Sequence, residues 1–165
     1  MHIREETPAD YDAIRGILIA AFADHPYSRQ TEHRIVEGLR EDGAVFLALV
    51  AEIQDEVVGH IAFSAAAIDG RYCGWMLLGP LAVLPSRQRQ GIGKALVLIG
   101  LEFIKNLGAR GCVLVGDPAY YRRFGFENVP GLQMEGVPPE VILAMSFEGD
   151  APCGRVTYHP AFFIE

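Results

Sequence analysis

The junction at residues 86–96, SRQRQGIGKAL, constrains the fold more than any other part of the sequence. The apolar run WMLLGPLAVLP precedes it and predicts a strand, and an apolar segment with helical spacing follows it. Gly91 and Gly93 let the backbone curl tightly, and they let a ligand approach the free N–H groups at the start of a helix. Three basic residues add positive charge: Arg87, Arg89 and Lys94. The junction therefore predicts an anion site that is best suited to phosphate.

Two familiar phosphate motifs do not fit this junction. A Walker loop reads GxxxxGK[ST], and the sequence contains no such run. A dinucleotide fingerprint needs a small residue where Leu96 stands, and here the junction follows a predicted antiparallel hairpin. A second interpretation stays open, in which Gly91 and Gly93 only shape a turn and the arginines are solvated.

The hydrophobic pattern predicts the element order β-α-α-β-β-β-α-β-α-β-β. Thr7 and Pro8 favour a helix start, and Gly108 and Gly125 favour helix ends. The predicted helices are residues 8–22, 29–41, 91–107 and a short one at 118–124. The predicted strands are residues 2–6, 44–53, 56–68, 73–85, 111–116, 141–147 and 155–159.

Two further details of these elements can be predicted. Pro80 cannot donate a hydrogen bond to a neighbouring strand, so Gly79-Pro80 predicts a bulge within the fourth strand. Helical spacing predicts that the helix over 91–107 turns four residues toward the core: Ala95, Leu96, Ile99 and Phe103.

Composition and charge limit the class of protein. Half of the residues are hydrophobic and 21% are charged, which predicts a folded chain, and its length fits one domain over residues 1–165. The net charge of −7 argues against general binding to nucleic acid or to anionic membranes. The N-terminus carries charges where a signal peptide needs an apolar core, and no unbroken apolar stretch reaches transmembrane length.

The cysteines predict a reduced protein. Cys73, Cys112 and Cys153 are odd in number and widely spaced, and none has the spacing of a zinc site. Cys112 lies in the apolar run CVLV and is expected to be a small buried hydrophobic residue. We therefore expect a cytoplasmic protein without a metal.

Two motifs resemble one enzyme family. Residues 88–93, QRQGIG, fit the Q/R-x-x-G-x-G/A motif of the GCN5-related N-acetyltransferases (GNAT), and residues 121–126, YRRFGF, resemble that family's Y-x-x-x-G-F segment. The order of elements also matches over nearly the whole chain, and VGDPAYYRRFGF looks most like a bacterial branch of predicted N-acetyltransferases. The resemblance implies an α/β (α+β) fold with a mixed, mostly antiparallel central sheet flanked by helices. It also implies a splayed pair of parallel strands at the coenzyme A site.

The resemblance further implies acetyl-CoA as the cosubstrate and an amine as the acceptor. The pyrophosphate would lie on main-chain N–H groups of Gln88, Arg89, Gln90, Gly91, Ile92, Gly93 and Lys94. The pantetheine arm would run along Leu81, Ala82 and Val83, and the N–H near Leu81 could polarise the thioester carbonyl. Tyr121 would be the general acid for the leaving thiolate, and Tyr120 is expected in the core. Many relatives carry Asn where Leu114 stands, so a contact made by that Asn does not transfer to this chain.

Several points stay open at the level of sequence. No carboxylate stands in WMLLGPLAV, so the base is either a water chain to solvent or one of five side chains: His25, Glu32, His33, His60 and Ser64. The acceptor is a small molecule or a protein amine. The alternative to an enzyme is a regulatory module that binds CoA without efficient turnover, and hydrolysis of acetyl-CoA is a third reading. Strand edges near RVTYHPAFF could form a homodimer or pack within their own chain.

Overall fold

A computed structural model of the protein describes residues 1–163. Its helices are α1 (Tyr11–Phe22), α2 (Glu32–Glu41), α3 (Ile92–Asn106) and α4 (Pro118–Tyr121). Its strands are β1 (His2–Glu5), β2 (Val45–Ile53), β3 (Glu56–Ile68), β4 (Arg71–Val83), β5 (Gly111–Val115), β6 (Leu132–Gln133), β7 (Ile142–Ser146) and β8 (Gly154–Tyr158). The predicted order is confirmed, with β6 as an additional strand of two residues.

One sheet organises the molecule, in the strand order β1-β2-β3-β4-β5-β7. Neighbouring strands along this path are antiparallel, except that β4 and β5 are parallel. β8 pairs with the end of β3, and β6 pairs with β8. This mixed, mostly antiparallel sheet with flanking helices confirms the predicted fold class.

Each face of the sheet is covered by helices. On one face, α3 packs on the sheet through a cluster that includes Leu96, Val97, Ile61, Phe63 and Leu114. On the other face, α1 and α2 cover a second cluster that includes Ile14, Leu18, Val36, Val50 and Ala82. Burial of each such aliphatic side chain contributes on the order of 1.5–3 kcal/mol to folding. The two clusters fix α3 behind the sheet and α1 and α2 in front of it.

The first two helices start later than predicted. Residues Pro8–Asp10 form a 3₁₀ turn, and α1 begins only at Tyr11. The Asp10 carboxylate accepts hydrogen bonds from the Thr7 N–H at 2.7 Å and from the Arg4 guanidinium at 2.7 and 2.9 Å, which holds this turn against β1. α2 begins at Glu32 rather than at residue 29.

The predicted core face of α3 is partly wrong. Leu96 is fully buried, but Ile99 and Phe103 are 37% and 40% exposed, and Ala95 is half-buried. The buried side of the helix contains Ile92, Leu96, Val97, Gly100, Leu101 and Ile104. Gly100 explains this orientation, because a Cβ there would lie 2.7 Å from the Phe63 ring. The helix turns its glycine toward the largest side chain beneath it, and the sequence pattern does not reveal that contact.

The C-terminal strand pairs within its own chain. Val156, Thr157 and Tyr158 of β8 pair with Ile68, Ala67 and Ala66 of β3. A homodimer through this segment therefore has no support here and stays a prediction. No helix among residues 1–163 is long and apolar enough to cross a membrane.

Candidate active site

The predicted bulge in β4 is present. Between two pairs with β3, β4 advances three residues while β3 advances two. These flanking pairs are Phe63–Leu78 and Ile61–Leu81. The extra length falls at Gly79 and Pro80, where the main chain has φ 150° at Gly79 and a cis peptide bond follows.

β4 and β5 separate at this bulge. The two parallel strands pair at Trp75–Gly111, Met76–Cys112 and Leu77–Val113, and the pairing ends there. Beyond it, β4 continues through Leu81, Ala82 and Val83 on β3 alone, while β5 continues on β7. Main-chain groups of β4 after the bulge consequently face a gap instead of β5. The predicted splay of the parallel pair is thus confirmed.

The glycine junction leads from the open end of β4 into α3. Gly91 is the N-cap residue of α3 with φ 83°, and no side chain caps the helix start. The first helical hydrogen bond runs from the Ala95 N–H to the Gly91 carbonyl at 3.0 Å. The Gln88 amide donates to the Val83 carbonyl at 3.1 Å and ties the loop to β4. The N–H groups of the first turn are therefore available to an anion, and the helix dipole favours one there.

The structure brings the predicted binding residues to one end of β4. Leu81 and Val83 are half-buried, Ala82 is buried, Gln88, Arg89, Gln90 and Gly91 are exposed, Ile92 is buried, Gly93 is half-buried, and Lys94 is exposed. Ile92 belongs to the core cluster on the α3 face and contributes only its main chain to this surface.

Tyr120 also lies at this junction, which corrects the prediction that it belongs to the core. The side chain is half-buried, and a Cβ on Gly93 would lie 2.8 Å from the Tyr120 hydroxyl. The Arg123 guanidinium lies over the Tyr120 ring, 4.8 Å from its centroid. The Tyr120 hydroxyl therefore stands against the first turn of α3. Only the distant contact between α4 and α3 reveals this, and the local sequence carries no signal for it.

Tyr121 is held by α4 and by its neighbours. The Asp117 carboxylate caps α4 by accepting from the Ala119 N–H at 2.9 Å, and Gly125 ends the following 3₁₀ turn at φ 101°. The Tyr121 ring packs edge-on against Phe126, with centroids 5.9 Å apart, and passes close to Gly116, where a Cβ would lie 2.6 Å away. Burial raises the pKa of Tyr121 well above its ordinary value, and Tyr120 and Cys112 raise it further.

Cys112 links Tyr121 to the separated strands. The residue is fully buried on β5, as predicted, and Tyr121 packs against the core cluster that contains it. Burial raises the pKa of the thiol strongly, so Cys112 stays protonated and inert as a nucleophile. Tyr121 and Cys112 thus share one side of the sheet, the side on which α3 packs.

The candidate bases divide into two groups. His60 and Ser64 are fully buried on β3, and the His60 Nε2 atom lies 2.8 Å from a Glu6 carboxylate oxygen. The other three candidates lie around the connection between α1 and α2. There the Ser28 hydroxyl donates to the Glu32 carboxylate, His25 contacts Phe22 and Tyr27, and His33 lines a groove of about 240 Å³ with Leu18 and Gln30.

A second groove lies away from the predicted site residues. An open groove of about 570 Å³ lies between β8 and the turn after β3, and it is lined by Asp69, Gln133 and Arg155 but by none of the predicted site residues. Within residues 1–163, no group of three or more His, Cys, Asp or Glu side chains could hold a metal ion.

A comparison with protein families decides the family. Residues 42–128, more than half of the chain, match the family model described as an acetyltransferase (GNAT) domain. The chain belongs to the GNAT acetyltransferase family. The matched region begins just before β2 and ends after α4, so it includes the bulge, the glycine junction and Tyr121.

Relatives of this GNAT protein are similar to it over most of its length. The uncharacterized N-acetyltransferase YhbS of Escherichia coli is 38% identical over 128 residues, covering 77% of this chain and 74% of YhbS. A GNAT family acetyltransferase from Brucella melitensis, solved in complex with acetyl-CoA, is 46% identical with a TM-score of 0.88, covering 98% of this chain and 97% of that chain. The solved structure of YhbS from Escherichia coli in complex with CoA has a TM-score of 0.90 at 32% identity. The match covers 99% of this chain and 92% of that chain.

Proposed function

We propose that this GNAT protein is an N-acetyltransferase that moves an acetyl group from acetyl-CoA to an amine. The observation that carries the proposal is the gap between β4 and β5, which leads directly to an uncapped helix start. A long ligand with a phosphate at one end and a polar arm fits this combination, since the arm can pair with a strand and the phosphate can take helix N–H groups. The relatives solved with acetyl-CoA and with CoA support the same donor.

Each part of the donor has candidate partners in this chain. The pyrophosphate would be held by main-chain N–H groups of residues 88–94, and the pantetheine arm would pair with residues 81–83. Acetyl-CoA supplies the acetyl group as a thioester, which an amine can attack directly. The Leu81 N–H, just past the bulge, is the proposed donor to the thioester carbonyl, where negative charge develops.

Tyr121 is the proposed proton donor for the leaving sulfur. Its raised pKa keeps the phenol protonated at neutral pH, so the proton is available when the thiolate leaves. The Tyr120 and Phe126 rings pack edge-on against it and fix its position. A phenol in this position favours turnover over the regulatory alternative, in which CoA only binds. Hydrolysis of acetyl-CoA without an amine gains no support from any observation.

Acetyl transfer is tested with a panel of amines. Purified protein is given acetyl-CoA and, in turn, polyamines, amino acids, aminoglycosides, and peptides with a free N-terminus or a lysine, and release of free thiol is measured. We expect amine-dependent thiol release with at least one class. Binding of CoA without release in the presence of any amine would support the regulatory alternative.

The donor site is tested separately by calorimetry. Gly93→Val puts a branched side chain where a Cβ already meets the Tyr120 hydroxyl at 2.8 Å, and it blocks access to the first turn of α3. We expect CoA affinity to fall at least about tenfold, which is about 1.4 kcal/mol. Arg89→Ala should have a milder effect, because main-chain N–H groups persist. A folded Gly93→Val protein with unchanged affinity would exclude this site.

A further inference from the structure

Two buried polar atoms on β3 have no hydrogen-bond partner. They are His60 Nδ1 and Ser64 Oγ, the only such side-chain atoms in the described part of the chain. The side chains of His60 and Ser64 are 0% and 1% exposed. An unpaired buried polar atom carries the full cost of its lost hydration. Each of the two atoms can therefore take a hydrogen bond from bound water or from a ligand.

Both residues flank the β4 bulge. His60 lies opposite Ala82, just after the bulge, and Ser64 lies opposite Leu77, the last residue of β4 that pairs with β5. Because side chains alternate along a strand, residues four apart face the same side of the sheet. The cross-strand neighbours of His60, Val50 and Ala82, belong to the cluster beneath α1. The two unpaired atoms are therefore on the face that α1 and α2 cover, one strand away from the gap.

Glu6 fixes which nitrogen of His60 carries the hydrogen. One Glu6 oxygen lies 2.8 Å from His60 Nε2, and the carboxylate also accepts two hydrogen bonds from the Arg40 guanidinium at 2.9 and 3.0 Å. Burial alone would raise the pKa of Glu6, but the hydrogen bonds with His60 and Arg40 outweigh it and lower the pKa. Glu6 is then a carboxylate, so Nε2–H donates to it. The lone pair of His60 is on Nδ1, at the edge of the ring away from Glu6.

A second histidine in the molecule shows what a purely structural pair looks like. His159 Nε2 lies 2.8 Å from the Asp42 carboxylate, and its Nδ1 accepts from the Ala161 N–H at 2.9 Å. Both ring nitrogens of His159 are thus satisfied. His60 has the same carboxylate contact, but its acceptor nitrogen is left unpaired in a fully buried position.

We propose that His60, oriented by Glu6, accepts on Nδ1, through bound water, the proton that the amine substrate must lose. This role rests on the proposed acetyl transfer. An ammonium group gives up two protons when it becomes an acetamide, since one N–H remains on the product. One of the two ends on the leaving sulfur, and the other passes through His60 to solvent. Glu6 offsets the positive charge while the imidazole carries it, and no oxidant or reductant takes part.

Electrostatics around His60 agree with this role. Burial lowers the pKa of His60, so the ring is neutral at neutral pH, which a proton acceptor requires. Three charged groups act on it: Glu6 after β1, Arg40 of α2 and, at longer range, Asp10 before α1. Glu6 and Asp10 favour the protonated ring, and Arg40 opposes it. The site therefore accepts a proton transiently without holding it.

The decisive experiment is a pH profile of His60→Gln. The Gln side chain can still donate to Glu6 from the position of Nε2, but it has no group that accepts a proton. With the best amine of the panel, we expect kcat/KM at pH 6.5 to fall roughly 100-fold, the lower end of general acid–base effects. The deficit should shrink as the pH approaches the pKa of the amine, because the amine then arrives neutral. CoA affinity should be unchanged.

His159→Gln is the matched control, because it makes the same change beside the Asp42 carboxylate, outside the β4 bulge and the glycine junction, and its kcat/KM should follow wild type at every pH. A pH-independent loss in His60→Gln, or no loss, overturns the proposal. Should His60→Gln fail to unfold cooperatively, Glu6→Gln is measured instead. That variant keeps an oxygen for Arg40, removes the offsetting charge, and should show the same pH-dependent deficit.

A spectroscopic test does not depend on the acceptor. Nitrogen-15 NMR of the histidine side chains at pH 7 should show His60 with a protonated Nε2 and an unprotonated Nδ1, identified by the loss of its signals in His60→Gln. A protonated Nδ1 overturns the role. If no amine is turned over at all, acetyl transfer itself fails, whereas turnover with a pH-independent His60→Gln profile removes only the role of His60.

Discussion

Tyr121 combines a packing role with a chemical one, and one substitution separates them. Tyr121→Phe keeps the ring against Phe126 and Gly116 but removes the hydroxyl. We expect kcat to fall by roughly 10- to 1000-fold, bracketing the lower range of general-acid effects, while CoA affinity and the unfolding midpoint barely change. Tyr158→Phe is the control, because Tyr158 is also partly buried but lies beside Phe162. Its kcat should match wild type. An undiminished kcat in Tyr121→Phe, measured where chemistry limits the rate, would exclude the acid role.

The pH dependence offers a second readout of Tyr121. Its raised pKa means that the phenol does not ionise until well above pH 10, the ordinary value for tyrosine. The rate should therefore show no decline from Tyr121 up to that pH. A falling limb near pH 9 that disappears in Tyr121→Phe would contradict the buried position.

Single residues were predictable where a local motif fixes them. Gly91 and Gly93 predict an uncapped helix start. The four-residue spacing to Gly125 distinguishes Tyr121 from Tyr120. The prediction for Tyr120 is wrong because its hydroxyl meets α3, a contact between elements far apart in sequence. No local pattern indicates Glu6 as the partner of His60 for the same reason, since 54 positions separate them.

At the scale of elements, two glycines in helices should respond in opposite ways to the same change. In Gly16→Ala on α1, the new Cβ meets nothing within 4 Å, so the gain in helix propensity should stabilise the protein by about 0.5–1 kcal/mol. In Gly100→Ala on α3, the Cβ would press on the Phe63 ring, and overpacking should destabilise it by about 1–3 kcal/mol. Urea unfolding of both variants beside wild type measures the difference. Equal changes in the free energy of unfolding would show that Gly100 does not determine how α3 packs on the sheet.

The elements themselves were largely predictable, and their orientation was not. Alternation and helical spacing located each long strand and helix within a few residues, because each buries one face. The rotation of α3 about its axis depends on Phe63 beneath Gly100, so Ile99 and Phe103 were placed on the wrong side. β6 has two residues and exists through its pairing with β8, so no pattern in its own sequence could reveal it.

For the molecule as a whole, acid should weaken folding in two stages. Burial lowers the pKa of His60, so the unfolded chain takes up a proton there before the folded one does as the pH falls below about 6.5. The pKa values of Glu6 and Asp10 are lowered in the folded protein, Asp10 chiefly by its hydrogen bonds with Arg4, so their stabilisation is lost at pH values below about 4. Urea midpoints at pH 7.5, 5.5 and 3 should fall in that order.

His60→Gln should reduce the fall in the urea midpoint between pH 7.5 and 5.5 and leave the fall at lower pH unchanged. Asp10→Asn should lower the midpoint at pH 7.5 and reduce the drop below pH 4. A midpoint that is constant between pH 7.5 and 5.5 in wild type would show that His60 titrates alike in the folded and unfolded chains.

The overall architecture could be predicted from the sequence because several of its features indicate the same fold. The strand order, the parallel pair of β4 and β5 and the glycine junction belong together in one family, and the chain carries all three. One domain over the full length, the cytoplasm and a homodimer stay predictions, since they depend on partners and surroundings outside a single chain.

The separation of β4 from β5 divides the sheet mechanically. Within the sheet, β5 and β7 join β4 only through a short seam of three residue pairs that ends at Leu77 and Val113. Thermal opening should begin at that seam, and the Val115 amide hydrogen, which faces the gap, should exchange with solvent sooner than those of β3, which is paired on both sides. A molecule bound across the gap would hold β4 and β5 together. The protein would then be stiffest while it holds its donor and loosest after release.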